Sequence, residues 1–178
     1  ERFFHIFTFI SQGSSYLNAR AYAILHRLHH AHSDTKNDPH SPVFYKSVFG
    51  MMWRTKKIYS DLVNDRIKVK EKLLNNIPNW RGLEKIADNW ITRISWGFFY
   101  VLFYILFSPS WWLLLLLPVH FFMGPIHGAI VNWCGHKYGY QNFKNTKDKS
   151  RNTLPFDFLT LGELFQNNHH HFLNRLNF

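Results

Sequence analysis

Residues 91–131 read ITRISWGFFYVLFYILF (91–107), SPS (108–110) and WWLLLLLPVHFFMGPIHGAIV (111–131). Two almost uninterrupted apolar runs flank a Ser-Pro-Ser turn. Each is near the ~20 residues a helix needs to cross a bilayer core, the first slightly short. Only Thr92, Arg93 and Ser95 interrupt the first run, all at its start. The second contains Pro118, His120, Gly124, Pro125 and His127. Irregular backbone survives at membrane depth only where protein or a cavity satisfies the freed polar groups, so this run predicts a packed or site-lining helix. A buried hairpin in a soluble protein is the alternative. Two crossings return the chain to the side it left, so the segments before Ile91 and after Val131 are expected to share one membrane face.

Composition points the same way. The chain has 178 residues, at most one domain by length. Aromatic residues make up 19%, with 18 Phe, 7 Trp and 8 Tyr, against an ordinary hydrophobic content of 46%. Amphipathic rings settle at membrane interfaces. The net charge is +10, which in a soluble protein suggests nucleic acid. Here the basic residues lie mainly in Lys46–Arg93 and Lys137–Arg151, on either side of the apolar hairpin, the distribution of cytoplasmic membrane loops. No zinc-finger spacing, RNP sequence or Gly-rich loop supports a nucleic-acid partner. Cys134 is the single cysteine, so no disulfide framework forms within the chain. Cys134 is either a soft ligand or a small buried thiol, the latter being the commoner role.

The histidines carry the chemistry. His26, His29 and His30 stand at i, i+3 and i+4, which on a helix places all three imidazoles on one face. His136 follows Asn132 by four residues, and His169, His170 and His171 are consecutive. Three adjacent residues cannot share one helix face, so His169 and His170 are taken for the cluster and His171 is not. Imidazole suits zinc, copper, iron and nickel. Structural zinc normally recruits cysteine, and the carboxylate di-iron sites of soluble bundles use paired Glu-x-x-His motifs; this chain has neither. Six to eight neutral nitrogen ligands can hold two metals, and a histidine-rich pair of irons at a membrane surface fits best. Asp34, Asp38 and Glu163 lie beside the clusters. They are read as acceptors for the free ring N–H groups, fixing tautomers and raising basicity; turn formation before Pro39 is an equal reading for Asp34 and Asp38. His5, His40, His120 and His127 lack clustered partners and are read as structural or supporting.

Around these motifs the pattern predicts an apolar segment over 2–10, a break at Gln12–Ser15 with Ser14 or Ser15 as a cap, and a helix from about Tyr16 to His32. A polar loop follows, punctuated by Pro39 and Pro42. From about Val43 to Asn76 the spacing is amphipathic, ended by Pro78. Lys56, Lys57, Arg66, Lys68, Lys70 and Lys72 form its basic face. Such a helix can lie in the headgroup plane or pack on a soluble core. A short polar helix to Asn89 and a last helix over about Leu159–His171 complete the reading, with no internal repeat. No initiating Met or signal peptide is recognisable, and the opening residues are already apolar.

The motifs together resemble the membrane fatty acid desaturases of the acyl-CoA, stearoyl-type group, in a bacterial style. His26-Arg-x-His-His30 with Asp34 and Asp38-Pro-His-Ser-Pro42 is similar to that family's second histidine box. Asn132-Trp-Cys-Gly-His136 is similar to its Asn-x-x-x-His element. Ser150-Arg-Asn152 and Gly162-Glu-Leu-Phe-Gln-Asn-Asn-His-His170 are similar to the approach to its third box. The resemblance spans almost the whole chain. It implies an all-α integral membrane enzyme, with a transmembrane hairpin at about 91–131 and a cytosolic helical cap carrying the histidine boxes. Such an enzyme uses two iron ions, O2 and two electrons to place a cis double bond in a fatty acyl substrate, carried on CoA or lipid. The electrons come from a separate donor of ferredoxin, rubredoxin or cytochrome b5 type. By matching position, His26, His29, His30, His136, His169 and His170 are the implied ligands, and Asn132 contributes through a water. Gln166 stands where many members have a histidine; an amide oxygen is a weaker, harder ligand, and Gln166 is assigned to a water beside the metal. The first histidine box and first spans are expected to precede Glu1, making residues 1–178 a single partial domain. A related di-iron hydroxylase, or a non-enzymatic metal-binding membrane protein, are the competing readings.

Overall fold

The computed structural model describes residues 2–77, 79–158 and 160–175. Seven α-helices are described: α1 (Arg2–Gln12), α2 (Ala19–His32), α3 (Val48–Val63), α4 (Arg81–Ala87), α5 (Trp90–Phe107), α6 (Leu117–Gly135) and α7 (Gln166–His171). Among the described residues there is no strand, only isolated bridges that join Asn152 to Tyr140 and to Phe165. The chain divides into two compact units, Glu1–Ala23 with Leu74–Ile126, and Ile24–Leu73 with His127–Phe178.

Helix α5, in the first unit, and the run from Trp111 to Gly135, which passes from the first unit into the second at His127, are long and apolar enough to cross a membrane, with mean hydropathies of 1.4 and 1.8. At 1.5 Å per residue, the 18 residues of α5 rise about 27 Å, close to the ~30 Å of a hydrocarbon core. No α5 side chain is buried. Asn89 starts the helix by accepting the Ile91 amide at 2.8 Å, a cap that satisfies one of the orphan N–H groups of the first turn. The second run opens as a 3-10 turn, Trp111–Leu116, before becoming α6. Pro125 lies inside α6, where it removes one backbone donor. The flanking backbone finds side-chain partners. Ser14 Oγ donates to the His120 carbonyl at 3.4 Å, and Ser15 Oγ accepts the Gly124 amide at 3.1 Å. Within the hairpin Tyr104 Oη and His120 Nε2 lie 2.9 Å apart. Gly13 is required where it stands: its φ is +52°, and a Cβ there would lie 1.7 Å from Tyr100 Oη. Arg93 ties the start of α5 to the carbonyls of Ser14 (2.9 Å) and Tyr16 (2.8 Å) and to Asp88 (3.1 Å).

The second unit is built on Ile24, Leu25, Met51, Leu62, Ala129, Val131 and Leu164. Three elements differ from the sequence expectation. Asn18, not Ser14 or Ser15, caps α2, accepting the Ala21 amide at 2.8 Å. The amphipathic helix stops at Val63 rather than near Asn76. There Asp65 takes a left-handed φ of 52°, the Arg66 amide reaches the Asp61 carbonyl at 2.8 Å, and the Asp65 amide reaches Leu62 at 3.3 Å. This paired closure satisfies the last carbonyls of the helix and turns the chain away. Lys68, Lys70 and Lys72 are therefore not on α3, and Pro78, expected to end it, lies outside the described residues. Helix α7 begins at Gln166. Upstream, Leu161 (φ 54°) and Gly162 (φ 93°) break helical geometry, and Asp157 accepts the Thr160 and Leu164 amides, each at 3.0 Å. Leu159 lies outside the described residues.

Candidate metal centre

Helix α2 presents His26, His29 and His30; His136 follows the last residue of α6; α7 presents His169 and His170. All six belong to the second unit, and they meet in two adjoining triplets. His26, His30 and His169 form one, with Nε2–Nε2 distances of 2.9 Å between His26 and His30 and 3.0 Å between His30 and His169. His29, His136 and His170 form the other, with 3.2 Å between the Nε2 atoms of His29 and His170. The donor atoms within each triplet lie within 4.8 Å of one another. His171 turns away and stacks on Phe143 at 3.9 Å, planes 1° apart.

The second triplet carries its own chemical argument. His29 Nδ1 is 3.0 Å from both carboxylate oxygens of Asp38, His136 Nδ1 is 2.9 Å from Asp34, and His170 Nδ1 is 2.6 Å from Asp148. A carboxylate is an acceptor, so these contacts assign the ring proton to Nδ1 and leave Nε2 as a bare lone pair. Three lone pairs then face one another without a proton between them, and the buried His136 Nε2 has no hydrogen-bond partner. A cation among them resolves this arrangement. The Nε2 atoms of His29 and His170, 3.2 Å apart, are within the span that two nitrogens at ~2.1 Å from one ion can bridge.

Electrostatics keep four of the rings neutral, as metal ligands must be. Burial, with neighbouring imidazoles adding to it, holds His26 and His169 at about 4 and pushes His29 and His30 far below the ordinary value. Burial works to raise the Asp148 carboxyl, but the His170 and Ser150 hydrogen bonds outweigh it and hold it well below the usual range. Asp34 is lowered in the same way: burial opposes, while His136, Ser41 and the Lys149 amide win. For Asp38 burial prevails and the carboxyl is raised.

The loop between α6 and α7 does much of the positioning. Asp148 holds His170, and the next amide, Lys149, donates to Asp34 at 2.7 Å, the carboxylate that holds His136. Asn152, fully buried, accepts the first amides of α7 from Asn167 (3.1 Å) and Asn168 (3.3 Å). Asn152 was quoted only within the Ser150–Asn152 stretch that resembles the approach to the third box, without a role, and Asp148 was not singled out, since it stands at no fixed spacing from a histidine. Their only signal is the polar Asp148–Asn152 run before the last cluster. His40, read as outside the clusters, is fully buried against His29, ring centroids 4.3 Å apart, and groups with His29 and Asp38.

Other expected residues sit differently. Asn132 Nδ2 donates to the Gly128 carbonyl at 2.8 Å, one turn before His136. Gln166 is buried, donates to the Glu163 carbonyl at 2.8 Å, and packs on Gly135, where a Cβ would lie 2.3 Å from its Cγ. Glu163 touches none of the six histidines through any observed hydrogen bond. Burial raises its carboxyl, with Asp157 adding to the rise; the contact to a cluster N–H near the last box is made instead by Asp148, to His170.

A helical chain with two helices apolar enough to cross a membrane, and a unit that gathers six imidazoles and their carboxylates, defines the class, and sequence comparison agrees. The fatty acid desaturase family profile matches residues 2–175, and the chain belongs to that family. Among curated relatives, Delta-9 desaturase-like 5 protein of Arabidopsis thaliana is 32% identical, over 83% of this chain and 47% of its own length. The sn-1 stearoyl-lipid 9-desaturase of Anabaena variabilis is 28% identical over 83% and 50%. The Hex-5-enoyl-[acyl-carrier protein] acetylenase of Moorena producens is 28% identical over 86% and 51%. The chain thus spans about half the length of the curated relatives it matches. No solved structure matches it at a significant level.

Proposed function

We propose that the protein is a non-haem di-iron fatty acyl desaturase that introduces a cis double bond, using O2 and two electrons from a separate donor. Two acyl C–H hydrogens and O2 leave as water, with the two electrons and two protons completing the balance. The carrying observation is the set of three carboxylate-tethered imidazoles whose Nε2 lone pairs converge beside a second histidine triplet. His26, His30 and His169 are proposed to hold one iron, and His29, His136 and His170 the other. When bound, the metal pair supplies the oxidising power toward an unactivated methylene that no side-chain acid or base has.

The chain's own residues set the conditions. Asp38, Asp34 and Asp148 retain the Nδ1 protons and aim the rings. Burial of His29 and His136 excludes water from the nitrogens that face inward. Asn132 and Gln166 are assigned to ordered water beside the metals. The substrate is a fatty acyl chain, and the carrier is taken as acyl-CoA or acyl lipid from the resemblance of the motifs; the relatives' names include a lipid form and a carrier-protein form. The donor is of ferredoxin, rubredoxin or cytochrome b5 type. The histidine boxes are assigned to the cytoplasmic side on the basic residues that flank the hairpin.

Metal analysis with Mössbauer spectroscopy on protein expressed in iron-replete medium, combined with mass spectrometry of the acyl product, tests this. Two irons per chain and a product two hydrogens lighter support desaturation. An added oxygen assigns a hydroxylase instead, and stoichiometric zinc without product assigns a non-enzymatic metal protein.

A further inference from the structure

Helix α3 has an outward face with no function in the site. Its inner face carries Met51 and Leu62, both buried. On the opposite face stand Phe49 and Trp53, 77% and 69% exposed, with Lys56 and Lys57 exposed one turn further along. Phe44 and Lys46, just before the helix, are exposed too. The Lys56 ammonium lies 5.3 Å over the Trp53 ring. Two large aromatics at full turn spacing, flanked by lysines, are poorly matched to bulk water; the carboxylate of the helix, Asp61, is engaged by Arg66 at 3.1 Å.

We propose that this face of α3 lies in the headgroup layer of an anionic lipid bilayer. Phe49 and Trp53 would enter the boundary between headgroups and acyl chains, where indole rings are favoured. Lys46, Lys56 and Lys57 would extend their ammonium groups to lipid phosphates while their alkyl stems cover apolar surface. Charge complementarity identifies the occupant: three lysines attract an anionic leaflet, and α5 and α6 already commit the same chain to a membrane. The inference rests on those two helices and not on the iron chemistry, so it stands or falls apart from the catalytic reading.

Nitroxide labelling of the reconstituted protein tests it. Phe49→Cys is labelled in a Cys134→Ser background, in nanodiscs of phosphatidylcholine with and without phosphatidylglycerol. Asn37→Cys, an exposed loop position, and Phe98→Cys on α5 give the aqueous and lipid references. The label at 49 is expected to collide with dissolved oxygen more, and with a water-soluble nickel chelate less, than the label at 37. Lys56→Glu with Lys57→Glu, or omission of phosphatidylglycerol, is expected to shift it toward the aqueous reference, roughly fivefold per lysine in the seated population. Nickel access equal to that at 37 would overturn the proposal. Protection from both reagents would also overturn it and assign the face to a protein segment. Indifference to charge would overturn the assignment to anionic lipid.

Discussion

Helix α5 buries none of its side chains and leaves most of them as exposed apolar surface, whereas the unit holding the histidines buries His29, Asp38, His40, His136, Asn152, Asn167 and His170. The difference lies in the solvent each is built for. An apolar helix in lipid needs its backbone bonded internally and little else, so capping and a few polar contacts suffice. A polar interior has no such freedom, because each buried nitrogen without a partner costs free energy. His30 Nδ1, His40 Nε2 and His136 Nε2 are buried without hydrogen-bond partners. A bound metal would relieve the His136 orphan, so the histidine unit should depend on its metal, and the hairpin should not.

The largest expected effect comes from removing a ligand. His29→Ala or His170→Ala should lower bound metal by at least about half and abolish product, with α5 unaltered by circular dichroism in lipid; full metal retention would break the comparison. Next is chelation. Without metal, amides of α7 and of residues 143–152 should exchange at least about tenfold faster, while those of α5 keep their protection. Acid should do the same to the metal-free protein. His26 and His169 titrate at about 4 in the fold because burial disfavours the charged ring, but near 6.5 when unfolded. Between those values the unfolded chain binds more protons, so stability rises with pH and is lost as pH falls from about 6.5 toward 4. Limited proteolysis at about pH 7 and about pH 5 should show loosening of the histidine unit alone. Asp148→Ala should weaken metal binding by about 10–100-fold, with Asp148→Asn recovering part of it. Smallest is Asn89→Ala, which removes the α5 cap and should cost the hairpin ~1 kcal/mol with metal content unchanged.

Much of this was legible in the sequence because it depends on local repetition. The apolar runs announced α5 and α6, and His26, His29 and His30 announced a shared helix face. Helix ends were less legible. Apolar spacing continues past Val63, but Asp65 adopts a left-handed conformation that spacing does not encode, and Leu161 and Gly162 do the same before α7. The tethers divided by distance. Asp38 sits nine residues from His29 and was found; Asp148 sits 22 residues from His170 in a lysine-rich tail and was not. Glu163 was favoured for its closeness to the last cluster, but it lies outside α7, whose geometry turns His169 and His170 elsewhere. His40 was set aside for lack of a sequence neighbour and acquires one only through the turn at Asp38.

The contact between His29 and His170 joins residues 141 positions apart, and the Lys149 amide reaches Asp34 across 115. During synthesis the ribosome therefore delivers α2 and both apolar helices well before the last imidazoles exist. The hairpin can enter the membrane on its own schedule, while the first histidines wait in their neutral, unliganded form. Metal loading then becomes a late event of biogenesis, and a nascent chain stalled before residue 169 would be inserted yet unable to close its centre.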